Sequence, residues 1–339
     1  MPGTTLKDVA QMAGVSIRTV SNVVNGYPSV SPRLREKVLA AIDKLDYRPN
    51  LVARNLRTGR TGLIALVVPE IDVPYFSELA RAIIDEAEAL HYRVMIDQTD
   101  GDLARERDHI SGATRAQLFD GVIFNPLEMS AGELAEVAKR TPLVLLGEHI
   151  ANGTVDHVAI DNIAAARDAT EHLIGLGRRK IAAIGTHPDE QIGTAQLRTR
   201  GYAATLTKHG LTIPPSLFKP TEKYHRDAGA KAMRSLLSEV PDVDAVFCFN
   251  DLLASGAIKE ILRSGRRVPD DIAVIGVDDI EEGRYSTPSL STISPDKATI
   301  AREAVHRLIA RMREPEREVS EFIADYTLIA RQSTTGVEG

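Results

Sequence analysis

Cysteine is almost missing from this chain: Cys248 is the only one in 339 residues. An intramolecular disulfide is therefore excluded, and a cysteine-built metal site has too few thiols, which fits a reducing compartment. Long apolar runs are missing as well. No stretch reaches the roughly 18 consecutive apolar residues that a membrane-spanning helix needs, although 43% of the residues are hydrophobic and 26% charged. The opening MPGTTLKDVAQMAG has no charged segment followed by an apolar one, so no export signal is expected and the cytoplasm is the expected location. Catalytic signatures are missing too: there is no GxSxG, HExxH, Walker A loop or GxGxxG. The carboxylate pairs Asp278-Asp279 and Asp242-Val243-Asp244 and nine scattered histidines come without a nucleophile–base arrangement. The expectation is a binding protein with no catalytic residues, no cofactor and no metal site.

What is present is unevenly charged. The first sixty residues hold ten Lys/Arg against four Asp/Glu, a net of +6 within a chain whose total is −6, so the remainder carries −12. A basic head on an acidic body suits a head that meets a polyanion and a body that does not.

That head reads as three short helices. Thr5 caps residues 5–13, with Asp8 three positions on at capping-box spacing. Leu6, Val9, Ala10 and Ala13 form the apolar stripe. Gly14 permits a sharp turn, and Ser16 caps a second helix running to about Val24. Val15, Val20, Val23 and Val24 face inward, leaving Ile17, Arg18, Thr19, Ser21 and Asn22 outside. Asn25-Gly26 ends that helix, and Ser31-Pro32 opens a third with Leu34, Val38, Ala41, Ile42 and Leu45 at helical spacing. Two short helices joined by a glycine turn and braced by a third form the helix-turn-helix plan. Residues 46–62 read as a linker, within which LVARNLR has helical propensity but only about two turns, too few to persist alone.

From Leu63 the pattern becomes βα alternation. Leu63–Val68, Tyr92–Asp97, Gly121–Asn125 and Leu143–Gly147 are strand-length apolar runs, with helical stretches at 75–90, 103–118 and 131–140. Helices near 162–176, 194–209, 226–238 and 251–264 then alternate with Lys180–Gly185, Ala245–Phe249 and Ile272–Val277. Fully apolar strands in such alternation argue for parallel sheets covered by helices. The fold class is α/β: a helix-turn-helix head, then two doubly wound lobes with a ligand cleft at the carboxyl ends of their strands.

TLKDVAQMAGVSIRTVSNVVNG, followed by SPRLREKVLAAIDKLDYRPN and LVARNLRTG, resembles the LacI–GalR family of repressors. The likeness continues through VPYFSEL, DGVIF, VAIDN, HLIGLGRRKIAAIG, LRTRGYAATL, FCFNDLLASGA, VPDDIAVIGVDD and LIARQSTTG, so it covers effectively the whole chain. It implies a DNA-binding domain over 1–49, a hinge helix and linker over 50–61, and an effector-binding and dimerisation domain over 62–339. That last domain would split into lobes resembling periplasmic binding proteins near 161, with the chain recrossing near 292 and 320.

The resemblance places Ile17, Arg18 and Asn22 at base-reading positions. The chemistry agrees: Arg can bond guanine O6 and N7, Asn can pair with adenine, and Ile can touch a thymine methyl. Thr5, Ser16, Thr19, Ser21, Asn25 and Ser31 suit phosphate oxygens. In the hinge, Leu56 takes the place of the leucine that enters the minor groove, with Asn50, Ala53 and Arg54 beside it. In the cleft the resemblance gives Arg198, Asp278 and Asn250 as polar ligand contacts, Tyr224 as a stacking ring, Tyr75 and Phe76 as a wall, and Asp161 and Thr194 as further contacts. An Arg–Asp–Asn set with aromatic faces suits a polyhydroxylated sugar. The resulting reading is a homodimeric transcriptional repressor on near-palindromic operator DNA, controlled by a small ligand, most readily a sugar. The alternatives are a nucleobase or a phosphoprotein as co-effector, or a periplasmic-type sugar-binding protein, which would require an export signal and no DNA head. No leucine-heptad extension follows LIARQSTTGVEG, so no coiled-coil tetramer is expected.

Overall fold

The computed structural model describes residues 4–24, 27, 30–47, 60–111, 118–147, 153–187 and 193–337. Its internal contacts divide the chain into two units, Met1–Gly62 and Leu63–Gly339.

In the first unit, α1 (Leu6–Ala13), α2 (Ile17–Val24) and α3 (Pro32–Lys44) pack around one small core. The capping box at its start is formed: the Thr5 N–H donates to Asp8 Oδ2 at 2.8 Å, and the Asp8 N–H donates to Thr5 Oγ1 at 3.4 Å. The Thr5 hydroxyl, which donates to Asp8 Oδ2 at 2.7 Å, and the Thr5 N–H hold the Asp8 carboxyl below its usual pKa. Gly14 ends α1 in the left-handed region at φ +64°, and Ser16 Oγ accepts from the Thr19 N–H at 3.1 Å to start α2. Val9, Val20 and Val38, one from each helix, are fully buried, with Ala10, Ala13, Val23, Ala41 and Tyr47 around them. Each such valine is worth about 1.5–3 kcal/mol of burial. Two expectations fail here. Leu34 is 38% exposed, because it stands on the first turn of α3, ahead of the turn that Val38 buries. Ser31 occupies the cap position of α3 but its side chain makes no cap bond.

The second unit holds two six-stranded sheets among the described residues. The first contains β1 (Leu63–Val68), β2 (Arg93–Gln98), β3 (Gly121–Phe124), β4 (Leu143–Leu146), β5 (Asp156–Ile160) and β11 (Glu321–Ala324), in the order β11-β5-β4-β3-β1-β2. Every pairing in it is parallel. The second contains β6 (Ile181–Thr186), β7 (Phe218–Pro220), β8 (Ala245–Cys248), β9 (Ala273–Val277), β10 (Ser291–Pro295) and β12 (Tyr326–Ile329), in the order β12-β10-β9-β8-β6-β7. It is parallel except that β12 runs against β10. Strands such as β3, β4, β8 and β9 are buried at every position, as sheets covered on both faces require.

Helices α4 (Pro74–Ala89), α5 (Leu103–Ser111) and α6 (Ala131–Ala138) belong to the first lobe; α7 (Asn162–Gly175), α8 (Thr194–Lys208), α9 (Arg226–Glu239) and α10 (Asp251–Arg263) belong to the second. A short α11 (Glu281–Tyr285) follows β9, and α12 (Lys297–Arg313) returns to pack on α4 and on β3, β4 and β5 of the first lobe. The described part of the helix expected over 103–118 ends at Ser111.

The chain passes between lobes three times: after Ile160, between Pro295 and Lys297, and between Ala324 and Tyr326. The last two crossings lie a few residues beyond 292 and 320, because Ser291–Pro295 and Glu321–Ala324 are themselves strands. All three sit at the β5/β11 edge of one sheet and the β10/β12 edge of the other. The edges formed by β2 and β7 are therefore the ends farthest from the crossings.

Candidate functional site: a reading helix and an interlobe cleft

On the head, α2 buries Val20 and Val23 and turns its other face outward. Ile17 is 49% exposed, as are other apolar side chains of the head such as Met12 and Leu39, at 46% and 51%. Arg18 is exposed beside Ile17, and Asn22 is half-buried one turn on. Thr5, Ser16 and Thr19 spend part of their bonding capacity on caps, since Ser16 Oγ and Thr19 Oγ1 also lie 2.9 Å apart. Ser21 is half-buried and Ser31 exposed. Asn25, Asn50, Ala53, Arg54 and Leu56 lie outside the described residues.

In the second unit the sequence-predicted ligand residues all follow the carboxyl ends of strands. Tyr75 and Phe76 open α4 after β1, and Asp161 caps α7 after β5. Thr194 and Arg198 are on the first turns of α8 after β6, Tyr224 follows β7, Asn250 caps α10 after β8, and Asp278 follows β9. Parallel strands deliver their carboxyl ends to one side of a sheet, which is why a βα unit builds its site there.

Contacts knit these residues together. Arg198, 6% exposed, donates from Nε to Asn162 Oδ1 at 2.6 Å and from Nη1 to the Phe249 carbonyl. That bond fixes the Asn162 amide, because the oxygen must face the guanidinium; its Nδ2 is buried with no hydrogen-bond partner among the described residues. Gly201, three residues after Arg198, lets α8 reach α7: a Cβ there would sit 2.3 Å from the Ile163 carbonyl. Asn250 Oδ1 accepts from the Leu253 N–H at 2.8 Å, and its Nδ2 donates to the Tyr224 carbonyl at 3.0 Å. The Tyr224 hydroxyl donates to the Gly185 carbonyl at 2.6 Å. Asp161 accepts from the Ala164 N–H at 2.9 Å while its side chain remains exposed. Half-buried Thr194 stands at the start of α8.

Tyr75 and Phe76 meet edge to face, 5.3 Å apart, and pack with Val73 of their own lobe against Leu252 and Ile280 of the other. Asp278 and Asp279 both have positive φ, +113° and +49°, a conformation costly for residues with a Cβ. The Asp279 carboxylate accepts from Arg331 at 2.6 Å, Arg284 at 2.8 Å and Ser294 at 3.0 Å. Burial would raise its pKa, but these donors outweigh burial and hold it below the usual range.

Residues that sequence reasoning passed over complete the site. Asp251, the neighbour of Asn250, is buried: it accepts from Thr292 Oγ1 at 2.8 Å and from the Ile280 N–H at 3.0 Å. Burial first, and the negative charge of Asp278 second, push its carboxyl well above the usual range. Between the lobes, Glu70 accepts from Lys223 Nζ and His225 Nε2, each at 2.9 Å; Lys297, on the first-lobe side of its crossing, donates to Glu78 at 2.5 Å and to the Asp278 carbonyl of the second lobe at 2.6 Å. The Asp and Asn beside each other in FND marked that strand end. Nothing in the spacing marked Lys297 or Glu78, which lie 219 positions apart.

A helix-turn-helix head with an exposed reading face, followed by two facing parallel α/β lobes, defines a DNA-binding regulator with a ligand-binding body. Residues 5–50 match the profile described as bacterial regulatory proteins of the lacI family, and residues 170–334 match a periplasmic binding protein-like domain. The ribose operon repressor of Halalkalibacterium halodurans is 32% identical, covering 99% of this chain and 98% of that protein. The HTH-type transcriptional regulator CelR of Thermobifida fusca is 34% identical over 97% of this chain and 98% of its own. Among solved structures, a CelR–cellobiose complex matches with a TM-score of 0.73 at 31% identity, covering 97% of this chain and 99% of that one. The lac repressor dimer bound to operator and an anti-inducer matches with a TM-score of 0.84 at 27% identity, covering 98% and 99%. The chain belongs to the LacI family of bacterial transcriptional regulators. No helix among the described residues is long and apolar enough to cross a membrane.

Proposed function

We propose that this regulator is a cytoplasmic homodimeric repressor that releases or grips near-palindromic operator DNA according to a sugar bound between its lobes. Residues 1–49 form the reading head, 50–61 the hinge, and 62–339 the effector-binding and dimerisation unit. Ile17, Arg18 and Asn22 read bases. Thr5, Ser16, Thr19, Ser21, Asn25 and Ser31 meet phosphates, and Leu56 enters the minor groove flanked by Asn50, Ala53 and Arg54. The role is binding rather than turnover.

The observation that carries the sugar reading is the clamp on Arg198. Two protein acceptors, Asn162 Oδ1 and the Phe249 carbonyl, hold a nearly buried guanidinium among the strand ends that also bear Asn250 and Asp278. A preset planar donor at strand ends that also carry a carboxylate suits vicinal hydroxyls, which both accept and donate. The flanking rings of Tyr75, Phe76 and Tyr224 suit the apolar faces of a pyranose or furanose, with Asp161 and Thr194 at the margin. CelR, solved with cellobiose, and the ribose operon repressor are relatives whose names point to carbohydrates.

A thermal-shift screen of the purified protein tests this, since a ligand that binds the folded state raises its melting temperature. Cellobiose, ribose and other mono- and disaccharides form one panel and free purine bases a second. A sugar that stabilises the wild type but neither Arg198→Ala nor Asp278→Ala supports the reading. Stabilisation by a purine base alone transfers the site to the nucleobase alternative.

A further inference from the structure

Lys297 begins α12 at the second interlobe crossing, and its side chain is only 15% exposed. Its ammonium is surrounded by acceptors from both lobes. It donates to the Asp278 carbonyl at 2.6 Å and to the Asp279 carbonyl at 3.1 Å in the second lobe, and to Glu78 Oε2 at 2.5 Å in the first. It also lies 5.8 Å from the centre of the Tyr75 ring. Glu78 Oε1 accepts from the Glu281 N–H at 3.0 Å, so the same carboxylate holds the residue that follows the Asp278–Ile280 segment.

We propose that Lys297 is the positioning residue of the effector cleft: it holds the left-handed Asp278–Asp279 turn in shape and ties it to Glu78 of the opposing lobe, so that the geometry of Asp278 and the closure of the cleft move as one. This rests on reading Asp278 as an effector contact. Two consecutive left-handed aspartates persist only where surrounding bonds over-determine them. Both of their carbonyls are bonded to this one ammonium, which can remain there only while Glu78 neutralises it. An effector that draws Asp278 toward itself therefore strains a bond reaching into the other lobe.

The other interlobe bridge does not compete. There Glu70 meets Lys223, which is 61% exposed, and His225, which is 28% exposed, and neither partner bonds the Asp278–Asp279 turn. The Lys297–Glu78 pair, linked to three backbone groups, is the one that reaches that turn.

Hydrogen exchange measured by mass spectrometry on the full-length protein, with no effector added, tests this whether or not a sugar is the ligand. Glu78→Gln keeps an acceptor for the Glu281 N–H but removes the charge facing Lys297; Lys297→Met removes the ammonium and keeps the apolar stem. Each variant is expected to speed exchange in a peptide spanning 277–283 by about tenfold, the loss of one charge-assisted bond. Peptides covering β8 and β9 up to residue 275 keep wild-type exchange. For Glu78→Gln, a change in the first lobe that loosens a turn in the second and spares the strands between is an outcome that a local packing role does not produce. Unchanged exchange over 277–283 in Glu78→Gln overturns the proposal, as does an equal rise across β8, β9 and the turn. If Lys297→Met fails to fold, Glu78→Gln decides the question.

Discussion

Gly14→Ala isolates one backbone angle in the DNA-binding head. Gly14 sits at φ +64° and ψ +38°, and a Cβ added there meets no atom within 4 Å, so the substitution carries no steric clash. What remains is the intrinsic cost of a left-handed L-residue, roughly 1–2 kcal/mol. Part of it is offset because alanine restricts the unfolded chain, worth about 0.4–1 kcal/mol. With mid-range values the net loss is about 0.8 kcal/mol, a roughly fourfold rise in the open population of the head. The head is sensitive to this, since its described core is a handful of mostly small side chains and its sequence holds no cysteine to cross-link it. Hydrogen exchange of a peptide spanning 5–24 in the full-length protein reads the change, with peptides from the two sheets as an internal control. Gly14→Asn, whose side chain tolerates the left-handed region, is expected to fall between wild type and Gly14→Ala. The reasoning fails if Gly14→Ala exchanges like wild type, if the asparagine variant is the worse of the two, or if the loss exceeds about 3 kcal/mol, well beyond any backbone cost of this kind.

Arg18→Ala is expected to cost about 1–3 kcal/mol in specific binding and to relax preference at one symmetric pair of operator positions; selection from random DNA with both proteins checks it, and an unaltered preference assigns Arg18 to phosphate. Leu56→Ala is expected to lose much of the specific affinity and most of the DNA bend while keeping salt-dependent, non-specific binding; equal bending in a circular-permutation gel assay makes the hinge a tether. For Asp251→Asn the sign follows from a folded-state pKa well above the ordinary carboxylate value. The wild-type contribution is fully present below that value and is lost as pH rises through the folded pKa. The variant does not titrate, so its urea stability declines less as pH rises above the ordinary carboxylate range; parallel profiles count against a buried acid.

Much of this architecture is written in local patterns. The Thr5–Asp8 spacing forms its capping box, Gly14 makes its turn, and the apolar runs from Leu63 to Val277 become parallel strands. The elements that escaped reading are of two kinds. Strands β5, β7, β10, β11 and β12 are only three to five residues long, and β7 and β10 end in Pro220 and Pro295, so neither length nor period marks them. Helix α12 is regular in sequence, with Ile300, Ala304, Val305 and Leu308 buried on one face. It escaped because it covers the first lobe although it follows the last parallel strand of the second, which the βα alternation does not suggest. The site divides in the same way. Strand ends locate Asn250 and Asp278, since those positions depend on their own strand. Asn162 matters only because Gly201 admits α8 close enough for Arg198 to reach it, a relation across 36 positions that no local pattern encodes.

The turn at Asp278–Asp279 shows why such distant partners govern function. Each left-handed aspartate costs of order 1–3 kcal/mol, so the turn depends on its supports. The Asp278 N–H donates to the Ile293 carbonyl at 2.9 Å and the Asp279 N–H to Thr292 Oγ1 at 3.3 Å. The Ile280 N–H is held by Asp251, and the Asp279 carboxylate by Arg331 and Arg284. All of these belong to the second lobe and would fix the turn whatever the first lobe does. Lys297 differs, because it begins the helix that packs on the first lobe, pairs there with Glu78, and bonds the two carbonyls of the turn from that side. A ligand shifts the balance between two lobe arrangements only by its difference in affinity for them. A contact made solely to the rigid second lobe supplies no such difference. On the proposal that Lys297 ties this turn to the first lobe, a contact to Asp278 supplies one, because the backbone it pulls on carries the bond to Lys297.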